Sequence, residues 1–72
     1  MGRLTKAQRA ILRSVDNRAE GVFDLSDSVR RNVHRVFDDC AALKARGLVD
    51  WMYPEDAVSV TEKGRAALEA KP

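Results

Sequence analysis

The apolar pattern of this chain changes period once, at Gly47, and that change constrains the fold more than any other feature. Before it, Val29, Val33, Val36, Cys40 and Leu43 follow steps of four, three, four and three, the spacing of one face of an α-helix. At about 100° per residue, Phe37 joins the same stripe. After it, Leu48-Val49-Asp50-Trp51-Met52-Tyr53 is rich in β-branched and aromatic residues, which suit a strand. Gly47 separates the two because glycine enters the left-handed position that ends a helix without steric cost. The chain must therefore run from a long helix, expected over Arg30–Arg46, directly into a strand.

The remaining elements follow from local signals. Tyr53-Pro54-Glu55-Asp56 supplies a turn, and Ala57-Val58-Ser59-Val60 alternates as a half-exposed strand should. Together they make a β-hairpin. Thr61 caps a last helix, Glu62 to about Ala70, with an acid in the first turn where the helix dipole favours it. Upstream, Thr5-Lys6-Ala7-Gln8 has the form of a capping box. Ala7, Ala10, Ile11, Leu12 and Val15 continue at helical spacing, so a first helix is expected over Lys6–Asn17. Gly21 breaks the pattern. Val22–Asp27 reads as a short helix or helical turn that gives Val22 or Phe23 and Leu25 to the core, with Ser26, Asp27 or Ser28 capping the next helix. No repeat or linker interrupts the order, and 72 residues make one domain, residues 1–72.

Charge is distributed unevenly. Residues 1–37 hold eight Lys/Arg against four Asp/Glu, a balance of +4, whereas residues 38–72 hold five against seven, a balance of −2. The positive charge gathers on the first helix and at the start of the long one, which hints at a polyanionic partner. An enzyme is not expected: no serine or cysteine is placed with a histidine, and no glycine-rich phosphate cradle is present. Asp38 and Asp39 are neighbours on a helix and point about 100° apart, unlike a catalytic carboxylate pair. No metal site or cofactor is expected, because His34 is the sole histidine and Cys40 the sole cysteine. Cys40 lies on the apolar stripe, where it serves as a small hydrophobe. One cysteine and no long apolar run fit a reducing compartment without a membrane span, so the expected location is the cytoplasm. Met1-Gly2-Arg3 leads into a charged amphipathic segment rather than a secretion signal.

Over about residues 4–70 the chain resembles the winged helix-turn-helix DNA-binding domains. Leu43-Lys44-Ala45-Arg46-Gly47-Leu48-Val49 is similar to the end of a recognition helix entering the wing in the MarR-like broad group of small prokaryotic regulators. Val60-Thr61-Glu62-Lys63-Gly64-Arg65-Ala66-Ala67-Leu68 is similar to the strand-to-helix junction after that wing. Arg31-Asn32-Val33-His34-Arg35 looks like the start of the recognition helix. The resemblance implies an α+β fold of three helices, a two-stranded wing and a short C-terminal helix. It also implies a sequence-specific double-stranded DNA-binding protein, a transcriptional regulator with the Arg30–Arg46 helix in the major groove. Two features depart from the usual pattern. The second helix is short and lacks the glycine of the following turn, and the wing tip carries Glu55 and Asp56 where basic residues are common.

In that reading Arg31, His34 and Arg35, opposite the apolar stripe, reach base edges, since arginine's planar fork donates two hydrogen bonds to guanine. Arg30 and Asn32 flank them toward phosphates. Asp38 is expected to hold Arg35 or His34 across the helix surface. Lys6 and Arg9 share a stripe with Arg13 on the first helix and form a second basic set, for phosphates or for solvated helix surface, while Tyr53, beside the turn, is placed for a sugar–phosphate strand or a second subunit. Trp51 is expected to pack on the helices. A homodimer through the first and last helices would extend the site, with Ala66, Ala67 and Ala70 either at that contact or packed on the domain's own core. The alternative is a winged-helix protein-interaction module without DNA binding, which the acidic wing tip and the net charge of +2 favour.

Overall fold

The capping box at Thr5 forms as its residues dictate. Thr5 Oγ1 accepts from the Gln8 amide at 3.0 Å, and the Gln8 side-chain carbonyl accepts from the Thr5 amide at 3.1 Å. Two amides that a helix start leaves unpaired are thereby satisfied. The computed structural model, which describes residues 4–52 and 56–69, runs α1 over Lys6–Asp16 from this cap, with Asn17 as its C-cap. Ile11, Leu12 and Val15 of α1 are buried.

The segment of uncertain form between the first two turns is a true helix, α2, over Val22–Val29. It buries Val22 and Leu25, whereas Phe23 is 71 % exposed, so Val22 and not Phe23 joins the core. The turn that lacks glycine is closed by Arg30 in the left-handed conformation, φ 56° and ψ 47°. Both the Arg30 and the Arg31 amides donate to the Ser26 carbonyl, and the Ser26 hydroxyl donates to the Arg31 carbonyl. Three hydrogen bonds thus hold a conformation that a non-glycine residue adopts at a cost.

As a result, the long helix starts later than its apolar stripe suggests. It is α3, Val33–Ala45, and its N-cap is Asn32, whose Oδ1 accepts from the His34 amide at 2.8 Å. Ser26, Asp27 and Ser28 lie inside α2 and cap nothing in α3. Val36, Cys40 and Leu43 are fully buried. Gly47, at φ 76°, ends the helix as expected. Its amide donates to the Lys44 carbonyl and the Leu48 amide to the Leu43 carbonyl, both at 2.9 Å, the paired bonds of a Schellman ending.

Two short strands follow, β1 over Val49–Asp50 and β2 over Ser59–Val60, antiparallel with Val49 opposite Val60 and Asp50 opposite Ser59. Tyr53, Pro54 and Glu55, expected in the turn, lie outside the described residues. Val58, just before β2, exchanges two backbone hydrogen bonds with Glu20, at 3.1 and 2.7 Å, which ties the α1–α2 connection to the wing. Leu48, Val49, Trp51 and Val58 complete one core with the three helices. Each large apolar side chain buried there contributes about 1.5–3 kcal/mol.

The last helix, α4 over Glu62–Glu69, packs on α1 and β2. Thr61 fastens its start: the hydroxyl accepts from the Gly64 amide at 3.0 Å and donates to the Gly47 carbonyl at 2.7 Å, while the Thr61 amide donates to the Leu48 carbonyl at 3.1 Å. Arg65 pairs with Asp16 of α1 at 3.0 Å. The faces of α1 and α4 are therefore engaged with each other within one chain.

Candidate functional site

With one face of α3 in the core, its other face is left to water. His34, Arg35 and Asp38 are exposed there, and further along so are Ala41, Ala42 and Ala45. The outer face is thus cationic at its N-terminal end and small-residued beyond, a shape that lets the helix backbone approach a partner closely. Arg30 and Asn32 are exposed in the turn just before it. Asn32 spends its carbonyl oxygen on the cap and keeps its side-chain NH2 free of that duty.

Arg31 stands apart from the other cations. Because α3 begins at Val33, Arg31 is not one helical turn before Arg35, and its side chain folds back along α3 to Asp39, Nη2 to Oδ2 at 3.2 Å. The side chains of the pair are 36 % and 19 % exposed, and the Arg31 Nε is buried without a hydrogen-bond partner. The acid that takes an arginine is Asp39 rather than Asp38. An eight-residue separation across a turn is not a helix-surface spacing, so pattern alone gave no signal for this pair.

On α1, Lys6 and Arg13 are exposed, but Arg9 is half-buried and donates from Nη1 to the Leu68 carbonyl of α4 at 3.3 Å. The first helix thus offers two cations of the stripe to the surface and keeps the third for packing. Tyr53 lies outside the described residues, and so does Ala70. Ala67 packs partly buried against the core, and Ala66 is exposed.

Other residues take the structural places their positions suggest. Trp51 is buried against Phe37, ring centres 5.6 Å apart and tilted by 51°. Cys40 is fully buried, and burial, with the neighbouring Asp39 carboxylate second, pushes its thiol up to about 11. Among the described residues no cluster of three His, Cys, Asp or Glu is placed to hold a metal ion, and no helix is long and apolar enough to cross a membrane.

No family model matches the sequence, and no curated protein does. Solved structures match it closely in shape. BpsR of Bordetella bronchiseptica superposes with a TM-score of 0.84 at 28 % identity, over 92 % of this chain and 51 % of that one. The multiple antibiotic-resistance repressor MarR of Listeria monocytogenes superposes with a TM-score of 0.83 at 20 % identity, over 92 % and 48 %. The chain has a MarR-like winged-helix fold. ZitR of Lactococcus lactis gives a TM-score of 0.83 at 18 % identity, over 94 % of this chain and 48 % of that one. The chain thus spans about half the length of these structures. Within the MarR-like fold, α2, the Arg30–Asn32 turn and α3 form the helix-turn-helix, and the β1–β2 hairpin forms the wing.

Proposed function

We propose that this MarR-like domain is the sequence-specific double-stranded DNA-binding part of a transcriptional regulator, with α3 entering the major groove. The observation that carries this reading is the outer face of α3, where exposed His34 and Arg35 stand behind exposed Arg30 while the opposite face is sealed into the core. The major groove admits one α-helix. Arg35 and His34 are assigned to base edges, Arg30, Asn32 and the exposed cations Lys6 and Arg13 to phosphates. The similar Bordetella protein is one whose DNA binding is regulated, which supports a DNA-binding reading here. A single module of this size covers few base pairs, so the working form is a homodimer on a two-fold site.

The test is titration with random-sequence duplex DNA over a salt series. Three to six phosphate contacts per subunit give a slope of log affinity against log salt of about −3 to −5. A flat response, or no binding at low salt, would remove DNA from the account and leave a protein-interaction module.

A further inference from the structure

We infer that Asp39 sets the balance between specific and indiscriminate binding at this interface, by holding the Arg31 guanidinium against α3 and out of reach of phosphates. The inference rests on the DNA-binding reading. Arg31 sits between the two exposed arginines of the site, Arg30 and Arg35, and by sequence alone it is equally placed to attract a polyanion. Its backbone is fixed on both sides, the amide on the Ser26 carbonyl and the carbonyl on the Ser26 hydroxyl. Its guanidinium meets Asp39 at 3.2 Å in a half-buried setting. There the pair is screened less by salt than an exposed one. The Arg31 Nε and the Asp39 Oδ2 are both buried without a hydrogen-bond partner, so the two groups meet as an ion pair and not through a hydrogen bond, while the Arg31 side chain as a whole stays 36 % exposed.

A phosphate that draws the guanidinium off Asp39 leaves the carboxylate behind, largely shielded from water and uncompensated. Removing one partner of such a pair is costly. Arg31 is therefore withheld from the sequence-independent attraction that every duplex exerts, and that attraction falls to the exposed cations. Among the described residues no ion pair restrains Arg30 or Arg35 in the same way. Asp39 in this role is a positioning residue that acts through Arg31.

Asp39→Asn keeps the size of the side chain and removes the charge that holds Arg31. With random-sequence duplex, the variant should bind with a salt slope steeper by about 0.9, the value of one added phosphate contact. Its gain over the wild type should be about 3.5-fold larger at about 50 mM salt than at about 200 mM. Arg31→Ala/Asp39→Asn should return the slope to the wild-type value, whereas a general gain from losing one negative charge would persist in it. Asp39→Glu should stay near the wild type. Should Asp39→Asn fail to unfold cooperatively, Arg31→Ala alone decides: its slope should equal that of the wild type.

An unchanged slope in folded Asp39→Asn, or one shallower by about 0.9 in Arg31→Ala, overturns the inference and leaves the DNA reading intact. Failure of both the wild type and Asp39→Asn to bind duplex at low salt overturns the two together.

Discussion

Gly64 of α4 lies so close to Leu48 at the entry to β1 that a Cβ on it would stand 2.0 Å from the Leu48 carbonyl oxygen and 2.9 Å from the Val60 Cγ2. The obstructing atom is backbone, which has no rotamer to give way. Gly64→Ala must push α4 off the wing and with it the Thr61 bonds to Gly47 and Gly64. We expect a loss of about 3 kcal/mol or more, at the upper end of overpacking costs. Urea unfolding measures it, and a variant within about 0.5 kcal/mol of the wild type, the range of ordinary surface changes, would contradict the close approach.

Arg30 supplies a second test, because stability and binding should move in opposite directions there. A left-handed non-glycine residue costs about 1–2 kcal/mol, while glycine's extra freedom in the unfolded chain returns about 0.5–1. Arg30→Gly should therefore be more stable by about 0.5–1 kcal/mol and should bind random duplex more weakly, with a salt slope shallower by about 0.9. A variant that is less stable than the wild type would show that the arginine side chain, and not the backbone, holds this turn.

What the sequence discloses and what it hides divide along physical lines. The Val33, Val36, Cys40, Leu43 stripe, the Thr5 capping box and the Gly47 helix end are signals carried within a few residues, and each formed where it was expected. The start of α3 was misplaced by three residues, because Val29 continues the apolar spacing although it belongs to α2. What ends α2 is a set of hydrogen bonds at Ser26, two accepted by its carbonyl and one donated by its hydroxyl, that overrides the steric preference of Arg30. The Glu20–Val58 bridge joins two single residues across the fold and has no periodicity to read. The Arg31–Asp39 pair is hidden for the same reason, since it depends on where the turn places the chain rather than on helical spacing.

Burial of Cys40 makes stability depend on alkali. The folded protein holds the thiol proton up to about pH 11, against about 9 for the ordinary thiol, so folding is fully supported below pH 9. Above it the unfolded chain loses the proton first, and stability should fall until the folded thiol also ionises near pH 11. Two units correspond to about 2–3 kcal/mol. Comparison with Cys40→Ala, which lacks this contribution, isolates it in denaturant titrations between pH 9 and 11. Parallel pH profiles for the two proteins would show that the thiol is not shielded. Native protein should also resist a thiol-specific reagent at about pH 8 and react on unfolding.

Reading of bases and attraction to phosphates should separate between Arg35 and Lys6. Arg35 is exposed on the outer face of α3, one position before the fully buried Val36, so Arg35→Ala removes no part of the core. A bidentate arginine–guanine contact discriminates by about 1–3 kcal/mol. Selection from a randomised duplex pool should therefore give a site whose preference at one base position relaxes in Arg35→Ala, while affinity for unselected duplex changes far less. Lys6, exposed in the first turn of α1, is assigned to phosphates in the proposed arrangement. Lys6→Ala should weaken selected and unselected duplexes alike and make the salt slope shallower by about 0.9. If Arg35→Ala lowers affinity equally for both pools, the arginine contributes charge alone. Base recognition would then have to come from His34, Asp38 or the alanines further along the same face, where Ala41, Ala42 and Ala45 are small enough to meet a thymine methyl.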